Sequence, residues 1–233
     1  MKQKTFFNWS SGKDSALALH YLIRDGNSSI DRLLTKVNAR HDRVSMHGLR
    51  KSALEAQAAA IGISLDVWEV PENPNREQYN TLMKNKVLDL KSQGYTHTAY
   101  GDIFLEDLKK YREDMLLPLG IEAVFPLWKK DTTALLREFL DLGFRAVIVC
   151  VNQFKLDKSF LGKELSLGLM EKFPKNVDPC GENGEFHTFC FDGPIFNYPI
   201  PFTLGEVVFK SYDDPIGEAN QIPFGFCDIL LKR

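Results

Sequence analysis

A chain of 233 residues with 44% hydrophobic and 26% charged side chains can bury a sizeable core, which excludes a disordered chain. Its formal charge of -2 and isoelectric point near 6.2 argue against a dedicated nucleic-acid binder, whose phosphate contacts need a basic excess. Cys150, Cys180, Cys190 and Cys227 form no CxxC pair, as in a reduced protein, and no apolar run approaches the ~20 residues of a membrane span, so the expected address is the cytoplasm.

Along the chain, Thr5-Phe6-Phe7-Asn8-Trp9 reads as a strand, Ser10-Ser11-Gly12 as a small-residue turn, and Lys13-Asp14-Ser15 as the opening of a helix. Small residues let phosphate oxygens approach the backbone, and the helix amides and Lys13 supply positive potential. The spacing fits neither the common nucleotide loop with its two glycines nor the dinucleotide fingerprint. The alternative is an ordinary helix cap with solvated Lys13 and Asp14.

Arg32 to Val37 predicts a second strand and Asn38 to Gly48 a loop. Arg50 to Ile61 predicts a helix stopped by Gly62, and Ser64 to Val70 a strand stopped by Pro71. Helices at Glu77 to Gln93, Asp107 to Leu117 and Thr132 to Leu142 alternate with strands at Thr96 to Tyr100, Ala123 to Phe125 and Ala146 to Val151. The alternation implies an α/β fold, a parallel sheet wrapped by helices, with ligands at one sheet edge. Beyond about residue 152 prolines cluster, and strand-like pieces at His187 to Asp192, Glu206 to Ser211 and Phe226 to Leu231 have no long helix between them. A smaller mixed or antiparallel lobe is expected there.

The run Cys180-Gly181-Glu182-Asn183-Gly184-Glu185-Phe186-His187-Thr188 brings carboxylates, an amide and an imidazole into one glycine-hinged loop. Such a set can bind an amine, hold magnesium or move a proton. A hairpin turn at Asn183-Gly184 with solvated glutamates is the plainer reading.

Ser10 to Ser15 resembles the pyrophosphate loop, Ser-Gly-Gly-x-Asp-Ser, of the ATP pyrophosphatases, with Ser11 where the first glycine is usual. A positive φ at Ser11 would cost roughly a kcal/mol or more. Taken with Met46-His47-Gly48-Leu49-Arg50, the run Gly101 to Glu113, and Gly181 to Thr188 with Asp192-Gly193-Pro194 behind it, the chain resembles the diphthine-ammonia ligase family over nearly its full length.

That resemblance implies a pyrophosphate-loop domain of the adenine nucleotide alpha-hydrolase type at 1–125 and a family-specific substrate-binding lobe at 126–233, the boundary falling within 120–155. It implies ATP-dependent amidation: a carboxylate attacks the alpha phosphorus, pyrophosphate leaves, and ammonia displaces AMP. ATP and Mg2+ are the implied cofactors. The acceptor would be the diphthine of elongation factor 2 or a small carboxylate, and a homodimer stays open. Ser10, Ser11, Gly12, Lys13 and Ser15 would grip the phosphates, with Asp14 near magnesium. Asn38, Gly101 and Asp102 would meet the rest of the nucleotide, although Asn38 also suits a turn and Asp102 a helix cap. Glu106, Tyr111, Arg112 and Asn183 would line the acceptor side, with a surface ion pair the rival for Glu106 and Arg112. Lys13, Asp14, Glu182, Glu185 and His187 would carry the chemistry, and His47 and Arg50 would stand near the phosphates or serve structure alone. Two rivals remain: a tRNA-modifying relative, against which the missing cysteine pairs and basic surplus count, and a non-catalytic nucleotide-binding module, which Ser11 favours.

Overall fold

The computed structural model describes residues 2–38, 43–44, 48–71, 74–213 and 220–232. Its first sheet is built from β1 (Gln3–Asn8), β2 (Ser28–Asn38), β3 (Arg43–Val44), β4 (Ser64–Val70), β5 (His97–Ala99) and β6 (Glu122–Val124). Five of these run parallel in the spatial order β4-β2-β1-β5-β6, and the short β3 pairs antiparallel with the end of β2. The chain therefore builds outward from β1 in one direction, then returns and builds from β1 in the other. At such a reversal the loops leaving β1 and β5 diverge and open a crevice at the carboxyl ends of the strands.

Helices α1 (Lys13–Asp25), α2 (Lys51–Ile61), α3 (Arg76–Ser92) and α4 (Glu106–Leu116) connect these strands. The first buries Ala16, Leu17, Leu19 and Leu22 and ends where Gly26 takes φ 73°, a left-handed cap that glycine reaches without a Cβ penalty. The third opens with a reciprocal capping box between Asn75 and Gln78.

After α5 (Thr132–Asp141) come β7 (Arg145–Asn152), the one-turn α6 (Leu167–Met170), β8 (Phe186–Asp192), β9 (Phe202–Asp213) and β10 (Gln221–Leu231). The last four strands form a separate antiparallel sheet in the order β8-β7-β10-β9. The apolar strand around Ala146 to Val151 thus does not extend the parallel sheet, as simple alternation suggests. It is one of the two inner strands of the second one, and its continuous burial suits either position. Strand β10 also starts earlier than its sequence implies and runs through Pro223, whose carbonyl still accepts from Gln153 N–H.

The two sheets share one core. Phe7, Trp9, Leu17 and Leu19 belong to the same buried cluster as Phe139, Phe144, Val149 and Phe189. Among the described residues no helix is long and apolar enough to cross a membrane.

Candidate active site

The turn after β1 lies at the crevice, and its shape is set largely from outside. Ser11 takes φ 75°, in the left-handed region, and is fully buried. Its carbonyl accepts from Cys190 N–H at 2.9 Å and from Gln57 Nε2 at 3.0 Å. Gln57, itself fully buried, also donates to the Cys190 carbonyl at 2.6 Å and accepts from Trp9 Nε1 at 2.8 Å. These bonds hold a serine in a conformation that favours glycine, which offsets its strain of about 1 to 3 kcal/mol. Within the turn the hydroxyls of Ser10 and Ser15 lie 2.6 Å apart.

Helix α1 has Gly12 as its N-cap residue, without a side chain to cap it. Thr188 of β8 supplies the missing acceptor: its hydroxyl takes the hydrogen bond of Lys13 N–H at 3.0 Å. Gly101, after β5, packs on the same first turn. A Cβ there would stand 2.9 Å from Ser15 N, so the glycine is demanded by the backbone of α1.

The Lys13 side chain turns toward the second lobe. Its ammonium pairs with Asp14 at 2.7 Å and donates to the Cys180 carbonyl. Burial disfavours its charge, but Asp14, Cys180 and Glu182 together outweigh that cost and the pKa rises. The Asp14 carboxyl is itself pushed up, by burial, against the pull of Lys13. Facing this pair, Glu182 accepts from Ile103 N–H at 2.8 Å. Burial, joined by the charge of Asp14, raises its pKa to about 7. His187 is lowered to about 4 by burial and by Lys13, so its imidazole stays neutral at physiological pH.

Asp178 organises that loop. Its carboxylate accepts from the Cys180 and Glu182 N–H groups, both at 3.0 Å, and from the Thr132 hydroxyl at 2.6 Å.

A cavity of about 560 Å³ joins these parts, a size suited to a nucleotide-sized ligand. Ser10, Gly12, Lys13, Asp14, Ser15, Gly101, Asp102, Tyr111, Arg112, Glu182 and His187 all line it. Its far wall adds Lys36, Trp68 and Tyr79 from β2, β4 and α3. Trp68 and Tyr79 lie with ring centres 5.5 Å apart, and the Lys36 ammonium sits 5.0 Å from the Tyr79 ring. Arg112 makes a two-pronged pair with Asp102 at 2.6 and 3.1 Å and lies 4.0 Å over the Tyr100 ring.

Other sequence candidates stand outside the cavity. Ser11 is enclosed beneath the turn, and its buried hydroxyl has no hydrogen-bond partner among the described residues. Asn38 ends β2 opposite Val70. Glu106 is paired at the surface with Lys129 and not with Arg112, because Arg112 is turned to Asp102. Asn183 is exposed, and its carbonyl accepts from Lys155. Glu185 is buried and accepts from Asp178 N–H, with its other oxygen unpartnered among the described residues. Arg50 pairs with Asp228, and His47 lies outside the described residues.

Sequence reading missed Gln57, Thr188, Asp178 and the wall of Lys36, Trp68 and Tyr79. Gln57 carried a signal, being the polar residue on the apolar stripe of Ala53, Leu54, Ala58 and Ile61. The wall carried none, because its members come from three elements.

A family model described as the diphthamide synthase N-terminal domain matches residues 3–123, and one described as the diphthamide synthase C-terminal domain matches residues 131–213. The chain is similar to proteins named diphthine–ammonia ligase. That of Danio rerio is 37% identical, with 84% of this chain and 91% of the relative covered. That of Rattus norvegicus is 33% identical over 88% of this chain and 84% of the relative. The Schizosaccharomyces pombe protein is 27% identical over 87% of this chain, which spans 36% of that longer relative.

Proposed function

We propose that this chain, which belongs to the diphthamide synthase family, is an ATP-dependent ligase that activates a carboxylate as its adenylate and amidates it with ammonia. The observation that carries this reading is the single cavity into which the turn after β1 and the Glu182 to His187 segment both open. A phosphate-binding turn alone would fit any nucleotide user. A near-neutral carboxyl and a neutral imidazole beside it supply groups able to handle the proton of an incoming amine.

In this reading Ser10, Gly12, Ser15 and the first-turn amides of α1 receive the beta and gamma phosphates, and Lys13 shifts from Asp14 toward them. Trp68 and Tyr79 offer an aromatic surface for adenine. Arg112, which spends two of its five donors on Asp102, keeps others for the acceptor carboxylate. The acceptor oxygen bonds to the alpha phosphorus as the bond to the bridging oxygen of pyrophosphate breaks. Ionised Glu182 then takes a proton from ammonium, ammonia attacks the acyl carbon, and the acyl carbon–oxygen bond to AMP breaks as the nitrogen gives its extra proton to the departing phosphate.

Mg2+ fits the donor set in part. Glu182, whose pKa is raised by burial and then by the charge of Asp14, lines the same cavity as Asp14, so the two carboxyls offer oxygen donors to a cation there. No cluster of three or more ligating side chains occurs among the described residues, so the phosphates would supply most of the oxygens. When bound, the ion would neutralise the triphosphate.

The acceptor that agrees with the names of the relatives is diphthine, on elongation factor 2, with a small carboxylate as the alternative. We assign residues 1–125 to the nucleotide part and 126–233 to the acceptor part, because the sheet changes between β6 and β7. Four buried free thiols fit a cytoplasmic protein. Incubation with ATP, ammonium and diphthine-bearing elongation factor 2 tests the activity: AMP and pyrophosphate are expected, and ADP with phosphate would overturn the adenylate route.

A further inference from the structure

Strand β9 ends the second sheet, and among the described residues no strand pairs with its outer edge. It is twelve residues long, yet Leu204, Val207, Val208, Phe209 and Tyr212 are 40 to 51% exposed along it. A long apolar edge with free backbone donors and acceptors templates pairing with another chain unless it is blunted. A bulge blunts one end only: Gly205 and Glu206 together face Asp228, between the pairs Leu204–Ile229 and Val207–Cys227. From Val207 to Asp213 the pairing with β10 is regular, and Glu206 is the bulge residue next to it.

That open stretch is complementary to itself. In a two-fold antiparallel pairing centred on Val208, Glu206 lies opposite the partner's Lys210, and Lys210 opposite the partner's Glu206. Val207 meets the partner's Phe209, and the two copies of Val208 face each other on the axis. All facing residues share a parity, so each pair projects from the same side of the joined sheet. Moving the axis to Lys210 would set two ammonium groups face to face, and moving it to Glu206 two carboxylates. One register thus satisfies both charges, and it stops at the bulge.

We propose that β9 is a homodimer interface, in which residues 206–210 of two copies pair antiparallel about Val208 and join the two four-stranded sheets into one of eight. The occupant is a second copy of this chain because the edge complements its own charge order. A two-fold contact of this kind closes on itself and ends at the dimer.

Sedimentation equilibrium of the full chain across a concentration series should show a reversible monomer–dimer equilibrium. Glu206→Lys and Lys210→Glu each create two like-charge contacts, and each should weaken the dimer about tenfold. Combining them swaps the charges and should restore dimerisation. Val208→Lys should abolish it by facing two charges on the axis. Circular dichroism melts show whether each variant remains folded, and the charge-swapped chain, with both substitutions, controls for damage by either. A wild-type chain that stays monomeric, or forms open-ended assemblies, overturns the proposal. So does a double variant no tighter than the single ones.

Discussion

The turn Ser10 to Ser15 and the loop Asp178 to Thr188 face one cavity, but they are held in place by contacts of different range. The turn is short, and its anchors are remote: Gln57 from α2, Thr188 and Cys190 from β8, and the Cys180 carbonyl. The loop is longer and anchors itself, with Asp178 accepting from Cys180 and Glu182, and Gly181 N–H donating back to the Asp178 carbonyl at 2.8 Å. Its outward bonds go to Ile103, Thr132, Asn152 and Lys155, besides the two it shares with Lys13 of the turn. The phosphate turn is therefore a joint product of both lobes, while the loop carries much of its shape in its own sequence. Substitutions far from the turn should damage it more than equally distant ones damage the loop.

The largest expected effect comes from severing the charge that links the two. Lys13→Ala leaves Asp14 without its partner and frees the Cys180 carbonyl, and should cost about 3 kcal/mol of stability. The same variant should bind ATP more weakly by about 1.5 to 3 kcal/mol, the scale of charge-assisted hydrogen bonds. Denaturant melts and calorimetry measure the two losses separately. Unchanged ATP affinity would remove Lys13 from the phosphate site.

Gln57→Leu tests remote support of the turn directly. It deletes three buried hydrogen bonds and leaves the Ser11 and Cys190 carbonyls each one donor short, for an expected loss of about 2 to 3 kcal/mol. If the turn were self-sufficient, ATP affinity would survive in the folded variant. A weaker affinity is expected, because Ser11 loses one of the bonds that hold its positive φ.

The loop answers to pH. Glu182 has its pKa raised from 4.5 to about 7, so between those values the folded state binds more protons than the unfolded one. Its contribution is complete below 4.5 and is lost as pH rises through about 7. Relative to Glu182→Gln, the wild type should lose up to about 2 kcal/mol between about pH 5 and pH 8, read from urea midpoints. AMP formation should rise over the same interval as Glu182 ionises, and the Gln variant should lack that rise. A pH profile unchanged by the substitution would separate Glu182 from the chemistry.

Thr188→Val is the smallest and most local change. It keeps the shape of the side chain but removes the acceptor for Lys13 N–H, which should cost about 1 kcal/mol. Glu106→Ala sets the baseline: an exposed pair with Lys129 should change stability by less than about 0.5 kcal/mol and leave ATP affinity unaltered.

Much of the fold was open to reading from patterns of short range. Helix α2 stops at Gly62 with φ 81°, and β4 has the bounds that Pro71 implies. The site was legible where its members were close in the chain, as with Ser10 to Ser15, Gly101-Asp102, and Glu182 with His187, all of which reach the cavity except Ser11. Glu185 and Asn183 show the limit of that reading. Glu185 is turned to the Asp178 N–H and Asn183 to solvent, so two residues of the run miss the cavity although their chemistry suits it. Likewise Arg112 was visible as a candidate, but its partner Asp102 follows from how β5 leads into α4 and not from helical spacing.

The alternation of strands and helices, the small-residue turn at the first strand end, and the change of texture beyond residue 152 are all written locally in the chain. Each of these rests on local backbone preference or on the period of apolar residues, which need no knowledge of neighbours. The placing of β7 in the second sheet, the capping of α1 by Thr188 and the support of the left-handed Ser11 by Gln57 emerge from the packing of distant segments. Those outcomes depend on which buried polar group meets which across gaps of 46 residues or more, up to 175. No local preference encodes such a meeting; it follows from packing both sheets around one core, where every buried donor and acceptor must find a partner.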